Sequence, residues 1–276
     1  MALPYLNSSS AAPPGDSARS APGCVSGYGY GDAFYRYIES GSLRSARVIV
    51  PLVLRELSPC SVLDVGCGAG AWLSEYRKRG ISDCLGVDGA YVGQNSLLIP
   101  AQCFHAQDIS QDFDLGRQFD VVQCLEVGEH LPPAFSRALV ENLTRHGDRI
   151  LFSAATPGQG GENHINEQGH EFWRFLFAEF GYMPFDMLRP RIKGMTAVES
   201  WYRRNILLYI AHTAIPTLSP ALFCTAIADD QAIPVMASFG YRMRACALYC
   251  LPARLVSRMA RIKHRLFIAF RWLRNR

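Results

Sequence analysis

No stretch of about 20 uninterrupted apolar residues occurs in the 276-residue chain, so a membrane-spanning helix is not expected. The nearest candidate, 206–223, is interrupted by His212, Pro216 and Pro220. Cysteine occurs nine times but never as a Cys-x-x-Cys pair. An odd count without metal spacing points to free thiols in a reducing, cytoplasmic compartment. The opening MALPYLNSSSAAPPGDSARSAPG lacks the basic and continuous apolar regions of a signal peptide. Its Ser, Ala, Pro and Gly content predicts disorder over residues 1–27. Acidic residues are missing from 241–276, which holds ten Lys and Arg. The rest of the chain carries 18 Lys and Arg against 24 Asp and Glu, a net of −6, so the basic character resides in a tail.

What is present is an alternation of short apolar strands and helical segments. Strands are expected at Ser61–Val65, Cys84–Val87, Gln102–His105, Phe119–Leu125, Arg149–Ser153 and Ile206–Ala211. Helices are expected at Ala46–Leu57, Ala71–Lys78, Pro133–Leu143 and Glu171–Phe180. This pattern predicts one doubly wound α/β domain over 28–215 with a mostly parallel sheet, followed by a linker and basic helical tail over 216–276. In such sheets a ligand sits beyond the carboxyl ends of the strands, where the strand order switches.

The first strand runs into Asp64-Val-Gly66-Cys-Gly68-Ala-Gly70. Glycines there allow a sharp turn and close ligand approach. Gly66, Gly68 and Ala71 also satisfy the dinucleotide pattern of NAD(P)-dependent oxidoreductases, which stands as a rival. Three carboxylates separate the two readings. Asp64, inside the strand end, would repel a pyrophosphate but accept from the amino group of a methionine. Asp88, ending the second strand, can accept both hydroxyls of a ribose. Asp108 can take an adenine amine while Ile109 packs on the ring. The turn has no basic residue for a phosphate.

This constellation, with Phe119-Asp-Val-Val122, resembles motifs I to IV of class I S-adenosylmethionine-dependent methyltransferases over roughly residues 29–212. The resemblance implies a seven-stranded sheet and cofactor binding by Asp64, Gly66, Gly68, Gly70, Asp88, Asp108 and Ile109. The loop after the fifth strand and Trp201-Tyr-Arg-Arg-Asn205 resemble a bacterial subgroup associated with surface-glycan and natural-product modification. An acceptor that is a small molecule or glycan precursor is the corresponding expectation.

The fourth strand is followed by Leu125-Glu-Val-Gly-Glu-His-Leu-Pro132. Glu126 can hold an acceptor hydroxyl, and His130 is a candidate base. On a helical turn, Glu126, Glu129 and His130 share one face by their i, i+3, i+4 spacing, and two carboxylates with an imidazole suit a divalent cation. The Glu-x-x-Glu-His string is similar to that of ubiquinone-pathway O-methyltransferases. It is also similar to that of small-RNA 2′-O-methyltransferases, where a later histidine completes a metal site; here His164 or His170 is the candidate. The alternative is that the glutamates merely favour a helix N-terminus. His164, Asn166 and Glu167 in the glycine-rich loop after the fifth strand offer donor, acceptor and base, with His164 a second candidate base. Trp173, Trp201 and Tyr202 read first as packing residues and second as a stacking platform.

From 252 to 275 the apolar residues Leu255, Val256, Met259, Ile262, Leu266, Phe270 and Leu273 share a face beside arginines. This basic amphipathic helix suits either peripheral membrane contact or packing on the domain. Nucleic acid ranks third, because no aromatic-interleaved basic groove accompanies it. Methyl transfer to a hydroxyl leads, with an RNA 2′-O-methyltransferase or an NAD(P)-binding oxidoreductase as alternatives.

Overall fold

The computed structural model describes residues 32–93, 96–252 and 255–262. The segment 1–27, expected to be disordered, and the last part of the basic tail lie outside these residues. The chain begins with α1 (Asp32–Leu57), β1 (Ser61–Val65), α2 (Ala71–Lys78), β2 (Asp83–Asp88), β3 (Phe104–Ala106) and β4 (Val121–Leu125). It continues with α3 (Ser136–Arg145), β5 (Arg149–Ser153), α4 (His170–Glu179), β6 (Tyr182–Phe185), α5 (Arg189–Ile192), α6 (Ser200–Asn205) and β7 (Leu207–Ala211). Beyond the sheet come α7 (Pro220–Phe223), α8 (Phe239–Tyr249) and helical residues 255–262.

The strands form one seven-stranded sheet in the order β3-β2-β1-β4-β5-β7-β6. β1 to β5 are parallel, and β7 runs antiparallel to both β5 and β6. Side chains alternate between two cores. Val121, Leu208 and Ile210 face the core covered by α1, α2 and α6, whereas Val122, Cys124, Leu207 and Tyr209 face α3 and α4. Burial on both faces explains why the strands read as continuous apolar runs. Each fully buried aliphatic side chain contributes roughly 1.5–3 kcal/mol.

The main departures from expectation have local causes. α1 starts at Asp32, well before Ala46, and continues through Pro51. Ala46, Ile49, Val50 and Val53 on it are fully buried, and that apolar stripe outweighs the hydrogen bond the proline forgoes. In place of a strand from Gln102, a 3₁₀ turn over Ala101–Cys103 precedes a three-residue β3. β6 was not anticipated. It contains Pro184 and lies at the sheet edge, where a missing N–H is tolerated. The stretch expected to be a linker supplies Leu222, Ile227 and Ile233 to the two cores. It also runs along the outside of β6: Ile227 N donates to Pro184 O at 2.9 Å and Asp186 N to Thr225 O at 2.8 Å. No helix among the described residues is long and apolar enough to cross a membrane, and their eight cysteines are all unpaired.

Candidate functional site

β1 and β4 lie side by side at the point where the strand order reverses, and the carboxyl ends of β1, β2, β4 and β5 bring the motifs together. After β1 the chain turns through Gly66, Gly68 and Gly70 with φ of 79°, 52° and 82°. Gly66 N donates to Val87 O at 2.8 Å, tying this turn to the end of β2. A Cβ at Gly66 would lie 2.4 Å from Val127 Cγ2, whereas one at Gly68 would meet nothing within 4 Å. Gly66 is therefore required by packing, and Gly68 opens onto free space.

The three expected cofactor carboxylates differ in surroundings. Asp88 is buried, and its Oδ2 accepts from Gly68 N at 2.7 Å. Its Oδ1 accepts from Gly89 N at 2.7 Å and from the Tyr91 hydroxyl. Burial raises its pKa, opposed by the hydrogen bonds from Tyr91, Gly68 and Gly89. Asp64 is also buried, and its Oδ2 has no hydrogen-bond partner. Burial pushes its pKa up to about 7; the adjacent Gln123 amide opposes the rise and Asp88 adds to it. Gln123 sits opposite Asp64 in register on β4, fully buried; its amide faces that carboxylate closely enough to lower its pKa, but neither amide atom reaches a well-formed hydrogen bond. Such incompletely bonded groups mark a place where a polar ligand completes the hydrogen bonding. Asp108 is exposed, with Oδ1 accepting from Ser110 N at 3.0 Å and Ser110 Oγ at 2.7 Å. Ile109 beside it is buried in the core facing α3.

The end of β4 is not the helical turn expected from its spacing. Glu126 takes a left-handed φ of 56°, and Gly128–His130 forms a single 3₁₀ turn. Glu126 turns its carboxylate toward other partners and is not in the cluster formed by the remaining candidate ligands, although it lies close enough to Glu129 to repel it. Its Oε2 accepts from Gln159 Nε2 at 2.9 Å and its Oε1 from Asn205 Nδ2 at 3.2 Å. Asn205 Nδ2 also donates to Gln159 Oε1 at 2.9 Å, and Asn205 Oδ1 is buried without a partner. A left-handed non-glycine residue costs of order 1–3 kcal/mol and persists where its surroundings over-determine it. Here Glu126 N is fixed to Ser153 O at 2.8 Å.

Glu129, His130 and His164 do come together: one ligand atom from each lies within 4.8 Å of the others. Glu129 is fully buried, and neither carboxylate oxygen reaches a well-formed hydrogen bond, the backbone N–H groups of Glu129 and Ala155 lying nearby. Burial, and then repulsion from Glu126, pushes its pKa well above the usual carboxylate range. His130 Nδ1 lies 3.2 Å from Asn163 O, so it must donate and leave Nε2 unprotonated. Burial, with His164 adding to it, drops the His130 pKa to about 3. His164 Nδ1 is held 2.8 Å from Glu167 Oε1. A carboxylate behind an imidazole is a common support for a metal-ligating histidine. A cation would satisfy the two oxygens of Glu129, so these three residues fit one.

The other candidates have structural partners. His170 Nε2 contacts Arg204 O at 3.2 Å and Arg189 Nη1 at 3.3 Å, and burial, then Arg189, lowers its pKa to about 4. Asn166 Nδ2 donates to Gly128 O at 3.1 Å and Ser136 Oγ at 2.9 Å, pinning the His164 loop to the turn after β4. Trp173 and Tyr202 are core residues, packed against Phe152 and Trp72 respectively. Gln123, Tyr91 and Gln159 were not singled out beforehand. Only Gln123 carried a signal, as an amide inside an otherwise apolar strand.

α8 crosses over the loop after β5. A Cβ at Gly158 would lie 2.1 Å from Ala245 O, and Arg244 Nη2 donates to Gln159 O at 3.3 Å. Arg204 stacks over the Tyr241 ring at 4.0 Å, and Asn163 N donates to Ser257 Oγ at 3.2 Å. The tail therefore covers the residues that surround Glu126 and His164.

The family model described as a methyltransferase domain matches residues 37–183. The ubiquinone biosynthesis O-methyltransferase of Neisseria meningitidis serogroup C is 30% identical, over 42% of this chain and 55% of that protein. The protein of the same name from Acinetobacter baumannii is 35% identical, over 33% of this chain and 42% of its own length. The chain thus spans about half the length of the curated relatives it matches. Among solved structures, the sugar N-methyltransferase KedS8 from Streptoalloteichus sp. superposes with a TM-score of 0.50 at 20% identity. That superposition covers 70% of this chain and 99% of KedS8 and establishes the shared fold. The matched residues contain the glycine turn, Asp64, Asp88 and the Glu129-His130 pair, and the chain belongs to the class I S-adenosylmethionine-dependent methyltransferases.

Proposed function

We propose that the protein transfers the methyl group of S-adenosylmethionine to a hydroxyl of a small molecule or glycan precursor. The observation that carries the choice of a hydroxyl is Glu129, a buried carboxylate with neither oxygen in a well-formed hydrogen bond, beside His130 and His164. A neutral amine is already nucleophilic, whereas a hydroxyl must lose its proton, and a site built to take a divalent cation answers that need. The O-methyltransferase names of the curated relatives support the same choice.

In this reading Asp64 meets the methionine amine, Asp88 the ribose hydroxyls and Asp108 the adenine amine. Tyr91 yields its hydrogen bond on Asp88 when the ribose arrives. Glu129, His130 and His164 hold the cation, which supplies Lewis-acid polarisation of the acceptor hydroxyl when bound. Glu126, fixed by Gln159 and Asn205, orients the acceptor. With Nδ1 of each imidazole engaged, by Asn163 O or by Glu167, Nε2 is the atom left to ligate a cation or to take a hydroxyl proton.

The test is methyl transfer from labelled cofactor to a panel of hydroxyl and amine acceptors, with and without chelator. Turnover of hydroxyl acceptors that is lost on chelation and restored by added cation is expected. Turnover confined to amines, or unaffected by both chelator and Glu129→Gln, would overturn the reading. An RNA 3′-terminal 2′-hydroxyl belongs in the panel, since it needs the same chemistry.

A further inference from the structure

We infer that the exposed faces of α8 and of the helical residues 255–262 form a docking surface for an anionic lipid bilayer. Only one narrow stripe of α8 faces the protein: Ala245 is buried and Tyr241 and Leu248 are half-buried, at i, i+4 and i+7. Phe239, Met243, Cys246 and Cys250 lie on the opposite side of that helix and are exposed. Phe239 is 79% and Met243 58% accessible. The helical residues 255–262 repeat the arrangement. Val256, Ser257 and Ala260 turn inward, while Leu255, Met259 and Ile262 form an exposed stripe at i, i+4, i+7.

Scattered apolar residues on a surface need no explanation, but an exposed apolar stripe on each of two consecutive helices does. Charge selects the occupant. Exposed Arg242 and Arg258 flank the stripes, and the chain has no Asp or Glu after Asp230. An apolar face bordered by arginines, without any acidic group, matches the boundary between lipid headgroups and acyl chains. It does not match a second copy of itself, which would set arginine against arginine. The inner stripe of α8 rests on Gly158, and Arg244 holds Gln159 O, so docking would set the acceptor side of the site against the bilayer. The docking itself is independent of what the site methylates.

The experiment is co-sedimentation of the full chain with vesicles of phosphatidylcholine alone or mixed with phosphatidylglycerol, at two salt concentrations. The wild type is expected to sediment only with the anionic vesicles, and less at high salt. Met243→Asp with Met259→Asp, and separately Arg242→Glu with Arg258→Glu, should each weaken binding by roughly tenfold or more. S-adenosylhomocysteine affinity, unchanged in all variants, reports that they are folded. Cofactor-competent wild type that ignores vesicles, or variants that bind them as the wild type does, would overturn the assignment. A concentration-dependent dimer broken by the same substitutions, without vesicle binding, would reassign the face to a second copy.

Discussion

Glu167 holds two things at once: its Oε1 lies 2.8 Å from His164 Nδ1, and its carboxylate accepts Gly158 N at 2.8 Å and Gly160 N at 2.7 Å. One side chain sets both the direction of the imidazole and the course of the loop that carries Gln159. Glu167→Ala should lower divalent-cation affinity by roughly 10–100-fold, the usual effect of losing a ligand's supporting partner. Affinity for S-adenosylhomocysteine should stay within about twofold, because Glu167 bonds only to His164 and its own loop and not to Asp64, Asp88 or the glycine turn. Calorimetric titration with Mg²⁺, Mn²⁺ and Zn²⁺ checks this; unaltered cation affinity would remove His164 from the site.

Asp64 links pH to stability. Its folded-state pKa is raised to about 7 by burial, with Gln123 opposing and Asp88 adding. The folded state therefore holds a proton that the unfolded chain releases near pH 4. Stability of the cofactor-free protein should fall as pH rises from about 4 to about 7, then level off. Asp64→Asn should flatten that slope and gain ~2–4 kcal/mol at pH 8, while weakening S-adenosylhomocysteine binding. Denaturant melts across pH, paired with cofactor titration, measure both. A mutant with an unchanged slope would contradict the assignment.

The two glycines of the turn should fail differently. Gly66→Ala places a methyl 2.4 Å from Val127 Cγ2 at a φ of 79°, which should destabilise the fold by about 2–4 kcal/mol through strain and overpacking together. Gly68→Ala meets nothing within 4 Å and should cost only about 1 kcal/mol of backbone strain. Its loss should appear in cofactor affinity instead. Thermal melts and calorimetry on both variants distinguish packing from ligand access; equal melting temperatures would show that Gly66 is not packing-limited.

Glu126 should act after cofactor binding. Glu126→Ala is expected to reduce kcat by roughly 10²-fold or more, with S-adenosylhomocysteine affinity nearly unchanged. Asn205→Ala, which leaves the carboxylate with Gln159 alone, should give a smaller loss of the same kind. An Asn205→Ala effect larger than that of Glu126→Ala would assign the acceptor contact to the amide.

Much of this was legible in sequence because strand ends and turns are local. The glycine turn needs positive φ, and Asp64 and Asp88 announce themselves as carboxylates at the ends of apolar strands. That a histidine after the fifth strand could meet His130 was also readable, with His164 and His170 both open; the structure brings His164 to it. The engagement of Glu126 by Gln159 and Asn205 was not legible. It depends on a left-handed residue stabilised by Ser153 on the neighbouring strand, and i, i+3, i+4 spacing presumes a helix that never forms. Gln159 and Asn205 escaped for a similar reason: their roles come from packing between a loop and the end of α6, 46 residues apart in sequence. β6 was hidden by Pro184, which is acceptable only because a later segment, not another strand, lies outside it.

That later segment has a consequence of its own. At one margin of the sheet, residues 225–227 run beside β6 and Pro184 offers no amide hydrogen; at the other, β3 is only three residues long. Neither margin presents a long row of free backbone groups to recruit a passing chain. The protein can therefore crowd against a surface or against its neighbours without its sheet growing from one molecule into the next.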